Sequence, residues 1–102
     1  MKFSIKNNEL AGKLALVART IASGGANPEL SGILLEANDG RLSFSSTDGN
    51  LSLRVPVHLE GQVDSSGRVL LPGRLFADIS RLLGSGQSEI EYSASESTVK
   101  IR

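Results

Sequence analysis

The sequence predicts an α+β fold, with two amphipathic helices and a set of short antiparallel strands. Three observations predict it. Several short segments alternate apolar and polar residues and are separated by Asp-Gly and other glycine-bearing turns. Two longer segments repeat apolar residues at helical spacing instead. The order strand, helix, strand, strand occurs twice along the chain.

The elements follow in order. "MKFSI" alternates, with Phe3 and Ile5 on one face and Lys2 and Ser4 on the other, as in a half-buried strand. "NNELAGKLALVARTIAS" is the first helix. Asn7 or Asn8 is its expected cap, and Glu9 suits its first turn. Leu10, Leu14, Val17 and Ile21 form its apolar stripe, and Gly24, Gly25 and Pro28 end it. "GILLEA" is a short apolar run, expected as a buried strand. Asp39 and Gly40 make a hairpin turn into "RLSFSST", where Leu42 and Phe44 share a face. Asp48 to Asn50 turns the chain again into "LSLRVPV", with Leu51, Leu53, Val55 and Val57 on one side. Pro56 places that strand at an edge or near its end. "HLEGQVDSSG" is polar and reads as a connection.

The second unit starts with the strand "GRVLL". "PGRLFADISRLL" is the second helix, with Pro72 in its first turn and Gly84 at its end. Its expected apolar stripe is Leu75, Phe76, Ile79, Leu82 and Leu83. "SEIEYSA" and "STVKI" form a closing hairpin. The first unit has one more strand, "LSLRVPV", which has no counterpart in the second.

Composition narrows the function. A chain of 102 residues is expected to be one domain with one core. Hydrophobic residues at 39% and charged residues at 22% exclude a disordered chain. There is no cysteine, so disulfides and thiolate metal sites are excluded. Lys plus Arg and Asp plus Glu balance at 11 each, which argues against a stand-alone nucleic-acid binder driven by overall charge. No signal peptide is visible in "MKFSIKNN", and no apolar run reaches the roughly 18 residues of a membrane span. A cytoplasmic protein without a membrane partner is expected.

No constellation points to an enzyme. The loops "SGGAN" and "GSGQS" lack the Lys-Ser or Lys-Thr that a phosphate loop needs, so they read as turns. His58 is the only histidine and has no nucleophile-elbow serine to serve. Glu89 and Glu91 alternate on one strand and read as a solvated face rather than a metal site. No catalytic residue, cofactor or metal is expected.

The helices carry more information. Residues placed at 100° intervals put Asn8, Gly12, Ala15, Arg19 and Ala22 opposite the apolar stripe of the first helix, with Lys13 at the flank. Leu16 falls beside this outer face as a misfit. The same construction puts Gly73, Arg74, Ala77, Ser80 and Arg81 on the outer face of the second helix, with Asp78 toward a flank. Small residues interspersed with arginine form a surface that a polyanion can approach closely, and arginine meets phosphate through a planar fork of donors. The alternative is a plain solvated face. Contacts of the first kind are independent of base sequence.

Together these segments resemble a known family. "MKFSI", "ELAGKLALVARTI", "NPELSGILLEANDGRLSFSSTD" and "GRVLLPGRLFADISRLL" are similar, in this order, to the amino-terminal domain of the bacterial DNA polymerase III beta subunit, the sliding clamp. The resemblance implies a DNA-clamp fold, two helices packed on a curved antiparallel sheet. Three such domains form a subunit, and two subunits close a ring around double-stranded DNA. It implies a non-enzymatic processivity factor in DNA replication, a homo-oligomer whose partners include the replicative polymerase and the clamp loader. Helices line the hole and sheets form the outer wall. By the same resemblance Arg74 matches a basic position that faces DNA, and Arg81, on the same helix face, matches a commonly basic position. Arg19 joins them by its place on the helix.

The chain also departs from the family. The loop "SGGANP" carries no basic residue, Glu29 replaces an aliphatic residue, and Gly49 and Asn50 replace a leucine–acid pair. The second and third domains, and the peptide pocket they hold, lie outside these residues. A truncated clamp domain lacking its last strand is therefore the expectation. The alternative is an interaction module that accepts a partner strand at an exposed edge near Val99–Arg102.

Overall fold

The computed structural model describes residues 1–20, 32–96 and 98–102. The expected Ile21 of the first apolar stripe, Ala22, the loop from Ser23 to Pro28, and Glu29 lie outside them. β1 (Lys2–Lys6) leads directly into α1 (Asn7–Val17) and a 3-10 turn (Ala18–Thr20). β2 (Gly32–Asn38), β3 (Arg41–Thr47) and β4 (Ser52–Val57) follow as an antiparallel meander. β5 (Gly67–Pro72), α2 (Gly73–Leu82), β6 (Gln87–Ser93) and β7 (Thr98–Ile101) complete the described chain.

The strands form two antiparallel sheets rather than the single expected one, ordered β4-β3-β2-β5 and β1-β6-β7. Each unit lends its first strand to the other. β5 pairs with β2, and β1 pairs with β6. This exchange ties the two strand–helix–strand–strand units into one core. Phe3, Ile5, Leu10, Leu14, Val17, Ile33, Leu35, Phe44 and Ile90 are almost wholly buried in it.

The hairpin turns form as their residues dictate. Asp39 and Gly40 take φ of 55° and 76° between β2 and β3, the left-handed region that Asp tolerates and Gly adopts freely. The Asp48 carboxylate accepts the backbone N–H groups of Asn50 and Leu51 at 2.9 and 2.8 Å, which fixes the turn into β4. Those N–H groups hold the Asp48 carboxyl below the ordinary aspartate range, Leu51 contributing most. β4 is an edge strand, which is where its Pro56 is tolerated.

Four further expectations are corrected. "GILLEA" is not buried on both faces: Ile33, Leu35 and Ala37 are buried while Leu34 and Glu36 are partly exposed, because only one face of the sheet carries helices. Neither Asn7 nor Asn8 caps α1. The cap position is Lys6, without a side-chain bond, and Gly86 supplies a backbone carbonyl 2.8 Å from the Asn7 N–H. Asn7 is instead buried, donating to the Leu83 carbonyl and accepting the Ser88 hydroxyl. Pro72 ends β5 and precedes the helix rather than opening it. Finally, the polar connection after β4 is partly structural. Val63 is buried, and Glu60 and Asp64 donate backbone N–H groups to the Ser4 and Lys2 carbonyls along the free edge of β1.

Among the described residues no helix is long and apolar enough to cross a membrane.

Candidate nucleic-acid interface

The position of α2 follows from one aromatic contact and one row of small residues. Phe76 stands edge-on to Phe44 of β3, ring centroids 6.4 Å apart at 66°, and anchors the helix to the sheet. Gly73, Ala77 and Ser80, spaced four and three residues apart, are all buried. They do not lie on the outer face that the helical wheel gives them. The wheel also errs on the opposite side: Leu75 is 59% and Leu82 84% exposed. Ile79 and Leu83 are partly exposed, so Phe76 is the one fully buried member of the expected stripe.

The physical reason is the neighbouring helix. α2 packs against α1 as well as against the strands. Large side chains facing α1 would hold the two helices apart, and the member of this row that lines the groove with α1 is the small Ala77. α1 answers with Ala11, Ala15 and Ala18, again at spacings of four and three, which line the groove opposite Ala77. Helical spacing reveals such a row, but solvent and a close helix suit small residues equally.

Arg74, Asp78 and Arg81 line the α2 side of this groove. Both arginines are exposed, as expected, and they lie two turns apart, about 10 Å along the axis. Arg81 forms an ion pair with Asp78. Arg19 is exposed in the 3-10 turn, four residues beyond Ala15, but does not line the groove. Asn8, Gly12 and Ala15 are exposed on α1, and Leu16 is 38% exposed beside them. The surface formed by the two helices is thus slim, with arginines projecting from it.

Lys13 does not join this surface. Its Nζ lies 3.2 Å from Glu9 Oε2 and 3.4 Å from the Pro56 carbonyl. Glu9 also accepts the His58 backbone N–H at 2.9 Å. Burial pushes the Glu9 carboxyl up, but the His58 N–H and Lys13 outweigh it and hold it below the ordinary glutamate range. His58 thus serves through its backbone, as a latch between β4 and α1. Glu89 and Glu91 both pair with Arg102, at 3.0 and 3.5 Å, and Glu89 also with Lys2 at 3.8 Å.

Comparison with known proteins places this geometry among relatives. Residues 1–102 match the family described as DNA polymerase III beta subunit, N-terminal domain. The beta sliding clamp of Streptomyces coelicolor is 40% identical over 99 residues, 97% of this chain and 26% of the relative. The beta sliding clamp homolog GriR of Streptomyces muensis is 34% identical over 102 residues, again 26% of its length. The chain therefore spans about a quarter of the curated relatives it matches. Among solved structures, the DNA polymerase sliding clamp of Caulobacter crescentus superposes with a TM-score of 0.89 at 29% identity, covering 100% of this chain and 27% of that one. The DNA polymerase III beta subunit of Thermotoga maritima gives a TM-score of 0.90 at 21% identity over 99% of this chain and 27% of that one, a likeness of fold.

Proposed function

We propose, because this chain belongs to the DNA polymerase III beta subunit N-terminal domain family, that it is one clamp-type domain of a sliding-clamp ring. It encloses duplex DNA without reading its sequence and performs no catalysis. Its proposed partners are DNA, the replicative polymerase, the clamp loader and further copies of the clamp subunit, in the cytoplasm.

One observation carries this reading: a shallow groove of small residues between α1 and α2, with Arg74 and Arg81 exposed along it. Alanines let a phosphate backbone come close, and guanidinium groups meet it. Arg19, exposed in the turn past the end of α1, is proposed as a third contact. Among the described residues no aromatic side chain lines the groove to stack on bases, so these contacts position DNA rather than identify it. The sheets are the scaffold that holds the two helices at fixed spacing.

The physics requires weak binding. Two or three arginines neutralise about two or three phosphates, for a salt slope of roughly −2 to −3. The chain alone should bind duplex DNA more weakly than about 10⁻⁴ M at physiological salt. A ring retains DNA by topology and needs no more. The test is a titration of a mixed-sequence duplex at several salt concentrations. The expected result is that shallow slope, flattened in the chain carrying Arg74→Glu and Arg81→Glu. Micromolar binding at physiological salt, or a slope unchanged by both substitutions, contradicts the reading.

A second reading rests on a separate observation. β7 is an edge strand, and its half-buried Val99 and Ile101 share an apolar groove with Leu71, Pro72, Leu75, Phe76 and Ile79. The first sheet carries β4 outside β3, whereas among the described residues nothing lies outside β7. The edge near Val99–Arg102 is suited to accept a partner strand. Loss of partner binding after Thr98→Pro or Lys100→Pro, with Arg74→Glu harmless, would favour it over the DNA face.

A further inference from the structure

We propose that Asp78 limits the grip of this surface on DNA by occupying the Arg81 guanidinium, a role that rests on reading the α1–α2 groove as the DNA face. Asp78 sits four residues after Arg74 and three before Arg81, and all three line one groove. Among the described residues it is the one acidic residue lining that groove. Its ion pair with Arg81 is exposed on both sides, the side chains retaining 62% and 66% of their accessibility.

That exposure sets the mechanism. A buried pair would lock Arg81 away from any ligand. An exposed pair holds little net energy and exchanges easily. A phosphate that takes the Nη2 edge of Arg81 displaces Asp78, and the departing carboxylate then lies near the phosphate it repels. The α2 wall therefore carries a net charge of one rather than two. The charged groups of α1 and the turn after it do not change this balance: Lys13 and Glu9 pair with each other, and Arg19 does not line the groove. A wall that attracts phosphates weakly lets DNA pass from one contact to the next. A wall that binds them firmly would hold DNA in place.

The test compares four forms of the chain by NMR titration with a mixed-sequence duplex at low salt. They are the unaltered chain, Asp78→Asn, Arg74→Glu, and Asp78→Asn combined with Arg81→Gln. Retained amide spectra verify folding. The proposal expects Asp78→Asn to tighten binding about threefold or more, the attraction of one freed guanidinium for a phosphate at several ångströms. It also expects the salt slope to steepen by about one, from the shallow to the steep end of the range of roughly −2 to −3. Both gains should vanish when Arg81→Gln is added. If Arg74→Glu weakens binding while Asp78→Asn leaves it unchanged, the Asp78 proposal is overturned and the DNA face stands. A gain that persists without Arg81 overturns the pairing mechanism. If Arg74→Glu has no effect, the DNA face itself falls, and the Asp78 role with it.

Discussion

The Glu9 carboxylate on α1 accepts the backbone N–H of His58 at 2.9 Å, across 49 positions of sequence. Lys13, one turn on, pairs with the same carboxylate and reaches the Pro56 carbonyl. This latch joins the end of β4 to the helix that forms one wall of the groove.

The latch predicts a pH dependence. The folded state holds the Glu9 carboxyl below its ordinary value, so the ionised form favours folding. That contribution is present above the ordinary glutamate pKa and is lost as pH falls through the depressed folded value. Glu9→Gln should cost about 0.5 kcal/mol near neutrality, after allowance for solvent screening, and nothing in strong acid. Urea unfolding of both chains across pH checks this; a difference that grows on acidification contradicts it.

The helix–helix contact predicts an inverted pattern of sensitivity on α2. Ala77 is buried against α1, so Ala77→Leu should destabilise by about 1–3 kcal/mol through overpacking. Leu82 is 84% exposed, and Leu82→Ala should change stability by less than about 0.5 kcal/mol. The helical-wheel assignment expects the opposite order, and thermal unfolding of the two variants separates them.

Gly12 lies within α1, and a Cβ added there would meet nothing within 4 Å. Gly12→Ala should therefore stabilise the chain by about 0.5–1 kcal/mol through helix propensity. A lower midpoint of thermal unfolding would show that this helix face is more crowded than described.

Asn7 bridges the end of α2 and β6, donating to the Leu83 carbonyl at 3.4 Å and accepting the Ser88 hydroxyl at 2.5 Å. Asn7→Ala leaves the buried Ser88 hydroxyl without this acceptor and should cost about 1–3 kcal/mol. If Asn7 acted only as a helix cap, Asn7→Ser would restore stability, since serine caps as well. The bridge predicts that it does not.

Much of the fold is legible where the determinants are local. Leu42 and Phe44 alternate and are buried together, and Asp39-Gly40 turns the chain where it should. Arg74 and Arg81, seven residues apart, necessarily share a helix face. What escapes is decided by distant partners. Asn7 resembles a cap because its acceptor and donor lie near residues 83 and 88. Gly73, Ala77 and Ser80 resemble a solvent face because a close helix and water both accept small side chains. Val63 sits in a polar stretch, and only the route of the chain past β1 explains its burial.

The most direct test is amide chemical-shift mapping of the chain while duplex DNA is added at low salt. The largest changes should fall on Ala11 to Arg19 and on Arg74 to Arg81. Changes centred instead on the outer face of the β4-β3-β2-β5 sheet, with both helices silent, would contradict the α1–α2 DNA face.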